Sequence, residues 1–519
     1  MVTLKASYMV KPAKETPTRL MYLSEYDQFD TITHSPTVYF YQHSGELILN
    51  AIIHTLKDSL SKALIMFYPL AGRLARGRLQ YGHSMKCGGK SGKWSILYWK
   101  DSSLADSNRM NWVVPVLTKE PAGSNKMNNN AHVSNVDKPK GFIEAESSQK
   151  PGAPLGVSQP SQAQFHSTGQ EQYRFGRLAG QIARASVESS SQAPVGEVCS
   201  CSRCGQRGHA SGSCPCLGLG ISHILVDGEC AAHFICKWAR IAHGKKPENF
   251  PFLDRTILQL EDSLPKTSFD ISDFNPPPLL IGHSNNTEER NKKTVVAMLK
   301  LNKEQINKSK NKANEYRNSD TSTNRAFTRY ESVTAHMWRC ACKARQHESK
   351  QLTNIRIPVN FRNRLQPPLP KWYFGCTVLP IVTTPTSGDI VSKPLSYTAK
   401  KLREVIEKVT DKYIRSCFVF LKNEPDLSKF RYFHIVGSNQ GPFYGNPNIC
   451  ITDWTRLPLY GVDFGWGKEI YMVPGAIGYD GKASILPGHD EDGSFLFLIP
   501  WRLQETHMDA FKKFFYNDI

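Results

Sequence analysis

The sequence has no long hydrophobic run, and this absence excludes several classes of protein. No apolar stretch approaches the ~18 residues of a membrane-spanning helix, and the first residues, MVTLKASYMVKPAK, lack the apolar segment of a signal peptide. We therefore expect a soluble, cytoplasmic protein with no membrane partner. Acidic residues are also scarce, because 46 Asp and Glu stand against 65 Lys and Arg, which gives a net charge of +19. This balance favours anionic ligands or surfaces without identifying them.

The remaining composition is that of a folded protein. Hydrophobic residues make up 40% and charged residues 21% of the 519 residues, which is too apolar for wholesale disorder. The length suffices for two or three domains with at least one large core. Of the thirteen cysteines, eight are scattered and predict reduced core residues of a cytosolic protein. The other five crowd between residues 199 and 216.

Hydrophobic periodicity predicts an α/β fold in two halves. The first half comprises residues 1–80 with 141–148, an isolated strand, and 216–250, a strand, a turn and a helix. A proline-rich connector at 251–292 leads to the second half, residues 293–519. In that half the apolar spacing of Leu402, Val405, Val409 and Tyr413 predicts one long amphipathic helix.

An insert interrupts the first half. Periodicity fails over 81–140, and residues 149–200 are rich in Ser, Gln, Pro and Gly, so both stretches are predicted to be disordered or low-complexity. Residues 201–214 follow as a separate segment.

Two His-x-x-x-Asp motifs occur, at His223–Asp227 and His54–Asp58. With sixteen histidines, about one such motif is expected by chance. His54 lies in a predicted helix, where the spacing favours a surface pair with Asp58. His223 ends a buried strand before the turn at Gly228, a position that often displays side chains at the mouth of a cleft. A core histidine followed by an Asp helix cap is the alternative for His223.

Several motifs together resemble the BAHD acyltransferases of plants. They are the His223–Asp227 motif followed by Gly228, the segment YPLAGRL at 68–74, and DFGWG at 463–467. Three more segments resemble most closely the spermidine hydroxycinnamoyltransferase branch: THSPTVYFY at 33–41, FTRYE at 327–331 and GPFYGNP at 441–447. The resemblance covers about residues 1–80, 141–148 and 216–519.

The resemblance implies two similar α/β halves with a tunnel between them, in a monomer. It also implies acyl transfer from a hydroxycinnamoyl-CoA thioester to an amine or hydroxyl acceptor. A neutral imidazole can take the acceptor's proton near physiological pH, so His223 is the candidate general base. The coenzyme A thiol, with a pKa of about 8.5 like that of Cys, is a good leaving group, so no covalent enzyme intermediate is required.

The family pattern implies roles for further residues. Asp227 would be structural and paired with Arg362. The DFGWG segment, with Asp463, Gly465, Trp466 and Gly467, would shape the cofactor side of the tunnel. Its glycines would allow a tight turn, and its tryptophan would supply apolar packing. A plain surface turn is the alternative. Two groups match substrate-binding positions, with ordinary strand positions as the alternative: Thr452 and Trp454 at the acyl group or tetrahedral intermediate, and Ser35, Thr37 and Tyr39 in the tunnel near the base.

The crowded cysteines resemble a zinc knuckle of the retroviral type. Cys201, Cys204, His209 and Cys214 have the spacing C-x2-C-x4-H-x4-C and would complete a tetrahedral, non-catalytic zinc site. Nucleic-acid binding is a weaker inference, because Ser202 and Ala210 stand where such knuckles usually carry stacking residues.

The knuckle supports a rival function. The family would place strands of the first sheet between residues 150 and 215, including one close to the His223 strand, and no apolar run is present there. The chain is then either a chimeric or mis-spliced product, in the extreme a nucleic-acid-binding protein with an inactive acyltransferase remnant, or a genuine fusion.

The acceptor is predicted from a single position. In relatives that use shikimate, an arginine thirteen residues before the position of Thr452 pairs with the acceptor carboxylate. Ungapped counting places Asn439 there, beside Gln440. A neutral pair loses about 1.5 to 3 kcal/mol of charge-assisted contact, which favours a spermidine-like amine over shikimate or quinate.

Overall fold

A computed structural model of the chain describes residues 4–17, 20–29, 34–41, 49–71, 73–76, 83–86, 94–99, 111–116, 216–259, 269, 271–315, 325–427, 430, 443–488 and 496–519. The predicted strand at 141–148, the four knuckle residues Cys201, Cys204, His209 and Cys214, and Asn439 with Gln440 lie outside these residues. Within them, no helix combines the length and the apolar character needed to cross a membrane.

The strands of the described residues follow one another in this order: β1 (Leu4–Val10), β2 (Leu20–Tyr22), β3 (His34–Tyr41), β4 (Arg73–Arg76), β5 (His83–Lys86), β6 (Trp94–Trp99), β7 (Asn111–Val116), β8 (Cys216–Ser222), β9 (Thr294–Leu301), β10 (Ile355–Asn360), β11 (Val378–Thr383), β12 (Ile449–Asp453), β13 (Glu469–Pro474), β14 (Lys482–Pro487) and β15 (Phe497–Gln504). They form a first sheet in the order β1-β6-β7-β8-β3-β13, a second in the order β11-β10-β12-β14-β15-β9, and a small sheet β2-β5-β4.

The α-helices of the same residues are α1 (Glu25–Phe29), α2 (Leu49–Met66), α3 (Gly228–Ala242), α4 (Thr287–Asn291), α5 (Lys303–Asn314), α6 (Arg329–Ala344), α7 (Ser387–Ser392), α8 (Leu395–Lys408), α9 (Asp411–Asn423) and α10 (Glu505–Asn517). Helices α2 and α3 contribute to a core with the first sheet. Helices α6, α8, α9 and α10 contribute to a second core with one face of the second sheet. The predicted α/β architecture in two halves is confirmed.

The prediction of disorder for residues 81–140 is wrong in part, because β5, β6 and β7 lie there. Strand β6 pairs with β1, and β7 pairs with β8 from Trp112 opposite Gly220 to Val116 opposite Cys216. The strand beside β8 that is missing from 150–215 is therefore supplied by residues 111–116. Gly-rich and polar flanks interrupt the local periodicity of these short strands, and long-range pairing stabilises them.

The division of the chain into halves also needs one correction. Strand β13, which follows the DFGWG segment and falls in the predicted second half, is antiparallel to β3 in the first sheet, with Pro474 opposite Thr37 and Met472 opposite Tyr39. The chain thus passes from the second sheet to the first and back, and part of residues 293–519 belongs to the first half.

The single long helix predicted through Leu402 and Tyr413 is two helices, α8 and α9. Val409 leaves the helical conformation, and the Thr410 side chain accepts a hydrogen bond from the Tyr413 backbone N–H, capping α9. A threonine cap begins a new helix without interrupting the apolar spacing, which is why periodicity alone joined the two.

Candidate active site

The turn between β8 and α3 carries His223. The histidine follows the last residue of β8, and the Leu225 N–H donates to the Ser222 carbonyl at 3.2 Å, closing the turn. Asp227 then caps α3 by accepting from the Cys230 N–H at 3.1 Å. The His223 side chain is half-buried, whereas Leu225 and Asp227 are buried. The predicted strand, turn and helix are present, and they leave His223 at the edge of the sheet.

An ion pair between the halves anchors this turn. Arg362 donates to both Asp227 carboxylate oxygens, at 2.6 and 3.0 Å, and both groups are almost completely buried. The Thr377 N–H and hydroxyl each donate to the same carboxylate at 3.0 Å. Burial by itself would raise the pKa of Asp227, but Arg362 and the other donors lower it below its ordinary value. The carboxylate is therefore ionised and bound on several sides, as a structural group would be.

A second buried pair supports the turn from another direction. Arg255 donates to the Leu225 carbonyl at 2.6 Å and lies 3.1 Å from the Asp27 carboxylate. Asp27 also accepts from the Cys376 N–H at 2.9 Å. Sequence analysis missed Arg255, Asp27 and Thr377, because no local spacing links residues so far apart in the chain.

Thr452 lies near the end of β12 in the second sheet, and Trp454 directly follows that strand. The Lys482 ammonium donates to the Thr452 hydroxyl at 2.9 Å, and the Trp454 N–H donates to the Ile485 carbonyl at 2.8 Å. Both side chains are half-buried. The contact with Lys482, from the neighbouring strand β14, had no signal in the sequence.

Close packing brings this segment to the His223 turn. A Cβ at position 228 would lie 3.0 Å from the Leu457 Cδ1 atom, so a glycine at the start of α3 permits the approach of the chain just after Trp454. Residues from both halves therefore meet at the N-terminus of α3.

The three predicted positions on β3 differ in their surroundings. Ser35 and Thr37 are half-buried and pair with Ile221 and Leu219 of β8, which places Ser35 nearest to the end of that strand. Tyr39 is 1% exposed and belongs to the core of the first half. Burial, with Cys236 and Glu469 nearby, raises the pKa of its phenol. Tyr39 is thus a neutral core residue, and only Ser35 and Thr37 retain partial exposure.

The DFGWG segment is a tight turn organised by its first residue. The Asp463 carboxylate accepts from the N–H groups of Gly465 at 2.7 Å and Gly467 at 3.1 Å, and both glycines have φ of +104°, which disfavours any other residue. The Trp466 ring stacks on Phe464 with centroids 5.4 Å apart. These contacts are those of a tight turn in which Trp466 packs on Phe464.

The second His-x-x-x-Asp motif lies on a solvent-exposed face. His54 is exposed on α2, but Asp58 forms its ion pair with Lys62 at 2.7 Å, not with His54 as predicted. Among the residues that the structure describes, no group of three or more His, Cys, Asp or Glu side chains could hold a metal ion.

Comparison with known proteins agrees with this geometry. The profile of the Transferase family matches residues 1–93 and 210–518. Hydroxycinnamoyl-CoA:piscidic acid hydroxycinnamoyltransferase of Actaea racemosa is 37% identical over 525 residues, covering 100% of both chains. Shikimate O-hydroxycinnamoyltransferase of Nicotiana tabacum is 32% identical over 522 residues, covering 99% of both.

A solved structure shares the fold at much lower identity. F. graminearum TRI101 complexed with coenzyme A and deoxynivalenol matches with a TM-score of 0.63 and 14% identity, over 96% of this chain and 97% of the other. The chain therefore belongs to the Transferase family, the BAHD acyltransferases of the sequence resemblance, and is a CoA-dependent acyltransferase.

Proposed function

We propose that the enzyme transfers a hydroxycinnamoyl group from its coenzyme A thioester to a hydroxyl or amine acceptor, with His223 as the general base. The observation that carries this is the His223 turn, which two buried ion pairs hold at the meeting point of the two halves. A base held in place on rigid elements loses little freedom on reaching the transition state. The relatives' names support the donor.

The reaction then follows from the residues. As the acceptor oxygen or nitrogen attacks the thioester carbonyl, the His223 imidazole takes its proton, and a tetrahedral oxyanion forms. The C–S bond breaks, the coenzyme A thiolate leaves, and imidazolium returns the proton to the sulfur. The Thr452 hydroxyl accepts from Lys482 and keeps its own hydrogen for the oxyanion, a contact worth roughly 3 kcal/mol. Asp227 takes no part in proton transfer.

Two acceptor classes stand within this proposal. A spermidine-like polyamine is supported by the resemblance of three segments to that branch and by the count that places Asn439 and Gln440 before Thr452. A hydroxy acid is supported by the relatives, whose names specify piscidic acid and shikimate.

Thiol release tests the proposal and separates the acceptors. Purified enzyme with p-coumaroyl-CoA is expected to liberate free thiol only when an acceptor is added, and equimolar spermidine and shikimate compete for one donor, with products separated by chromatography. Predominant amide would support the polyamine, and predominant ester the acid. Binding of single-stranded RNA without thiol release from any acceptor would contradict the enzyme assignment.

The segment at 201–214 carries a separate proposal. The spacing of Cys201, Cys204, His209 and Cys214 supports a structural zinc ion within an insert that includes 149–200, a range left unmatched by the family profile. Native mass spectrometry is expected to show one zinc per chain, lost in Cys204→Ser. Equal metal content in both proteins would contradict the knuckle. Nucleic-acid binding by this segment is the weaker proposal, because Ser202 and Ala210 stand where such knuckles usually carry stacking residues.

Compartment and assembly are proposed from simpler features. Six buried cysteines of the described residues are free thiols, which supports a reducing compartment such as the cytoplasm. The family resemblance supports a monomer that acts on small molecules.

A further inference from the structure

The two faces of the second sheet pack against different parts of the molecule. Odd-numbered residues such as Ile451 and Ala483 belong to the core with helices α6, α8 and α10. Even-numbered residues face the other way, because Met298, Leu486 and Leu498 belong to the core of the first half. An even-numbered polar residue near the middle of this sheet therefore points toward the first half, on the side of the proposed reaction site.

Two cations lie on that inner face. Strand register places Arg356 of β10 beside Cys450 of β12, and Cys450 beside Lys482 of β14. Two strand spacings separate the cations, about 10 Å between backbones. The Arg356 guanidinium lies 4.9 Å from the centroid of the Tyr444 ring. Of the two, the partly buried Lys482 contacts the proposed oxyanion residue Thr452.

The immediate partners of Lys482 are neutral. Its ammonium donates to the Thr452 hydroxyl at 2.9 Å and to the Cys450 thiol at 3.3 Å. No ion pair within the described ranges includes Lys482, although its side chain is partly buried. An ammonium that is partly withdrawn from water and has only neutral partners gains most from an anion that arrives with the substrate.

Building on the proposed function, we propose that Lys482 binds a carboxylate of the acceptor and selects acidic acceptors. Polyamines fit this site poorly for the same reason, since the remaining ammonium groups of spermidine would meet Lys482 as a like charge. Coenzyme A phosphates are a poorer match, because the pantetheine arm holds them far from the thioester carbonyl that Thr452 would contact. This inference reverses the preference for a spermidine-like amine over shikimate that was argued from Asn439.

Matched neutral acceptors test the role of charge. Steady-state kinetics of the full chain with p-coumaroyl-CoA are measured for shikimate and piscidic acid and for their methyl esters. Lys482→Leu is expected to raise KM for the free acids about 10- to 100-fold more than KM for the esters, whereas the kcat lost with the contact to Thr452 is expected to be the same for both acceptor types. Lys482→Arg, which retains the charge, is expected to restore most of the affinity. Lys308→Leu, a change at an exposed lysine of α5, serves as the control.

Each other outcome has a distinct meaning. An equal rise in KM for acids and esters would show that Lys482 acts through Thr452. A raised KM for p-coumaroyl-CoA alone would show that Lys482 binds the donor. Either result overturns the inference. Wild-type enzyme that acylates spermidine and neither acid also overturns it, while the proposed function stands. Absence of thiol release with every acceptor refutes the proposed function itself.

Discussion

His223→Ala is expected to lower kcat for hydroxycinnamoyl transfer by about 10²- to 10⁴-fold, the usual contribution of a general base. Without the imidazole, the attacking hydroxyl or amine has no acceptor for its proton at this position. The donor KM should change little, because proton transfer by the imidazole belongs to the transition state and not to binding of the donor. Thiol release under saturating donor and acceptor measures the effect directly.

The chain provides its own control for this experiment. His54→Ala removes the histidine of the other His-x-x-x-Asp motif from an exposed helical face, and turnover should stay within about twofold of wild type. Equal losses in the two variants would refute the placement of the base. Far-ultraviolet circular dichroism of His223→Ala should match the wild type, because Asp227 and Arg255 still anchor the turn in the variant.

Arg362→Leu is expected to reduce the free energy of unfolding by about 3 to 5 kcal/mol, because it leaves the Asp227 carboxylate buried without its cation. Turnover should fall as well, since the same pair holds the His223 turn against the second half. Urea denaturation followed by tryptophan fluorescence measures the stability. Arg415→Leu is the matched control, because its pair with Asp411 is exposed and should contribute less than about 1 kcal/mol.

The difference in unfolding free energy between wild type and Arg362→Leu depends on pH in a definite direction. The folded-state pKa of Asp227 lies below its ordinary value, so its contribution is complete above the unfolded pKa near 4 and is lost as pH falls through the folded pKa. The stability difference between wild type and Arg362→Leu should therefore shrink as pH falls. Burial without the arginine raises the pKa of Asp227 in the variant, so its penalty is relieved from above pH 4 downward, and the wild type loses its own contribution below about pH 4. Adding Asp227→Asn to Arg362→Leu should recover part of the stability at neutral pH. If Arg362→Leu lowered the free energy of unfolding no more than Arg415→Leu does, the result would contradict an anchoring role for the pair of Arg362 and Asp227.

The sequence by itself determined the features that depend on neighbours in the chain. The strand, turn and helix around His223 follow from an apolar run, an Asp-Gly turn and an amphipathic segment, and Asp227 caps the helix three residues ahead. The DFGWG turn is likewise local, because Asp463 accepts from N–H groups two and four residues later. The partner Arg362 came from the family resemblance, not from spacing.

Only the tertiary structure decided which distant segments meet. Strand β7 lies beside β8 although about a hundred residues separate them, and β13 joins β3 across more than four hundred. Arg255 with Asp27, and Lys482 with Thr452, are likewise pairs that no periodicity connects. Strand pairing depends on which partner buries each face, and a short strand between polar, Gly-rich flanks carries too little local signal to specify that partner.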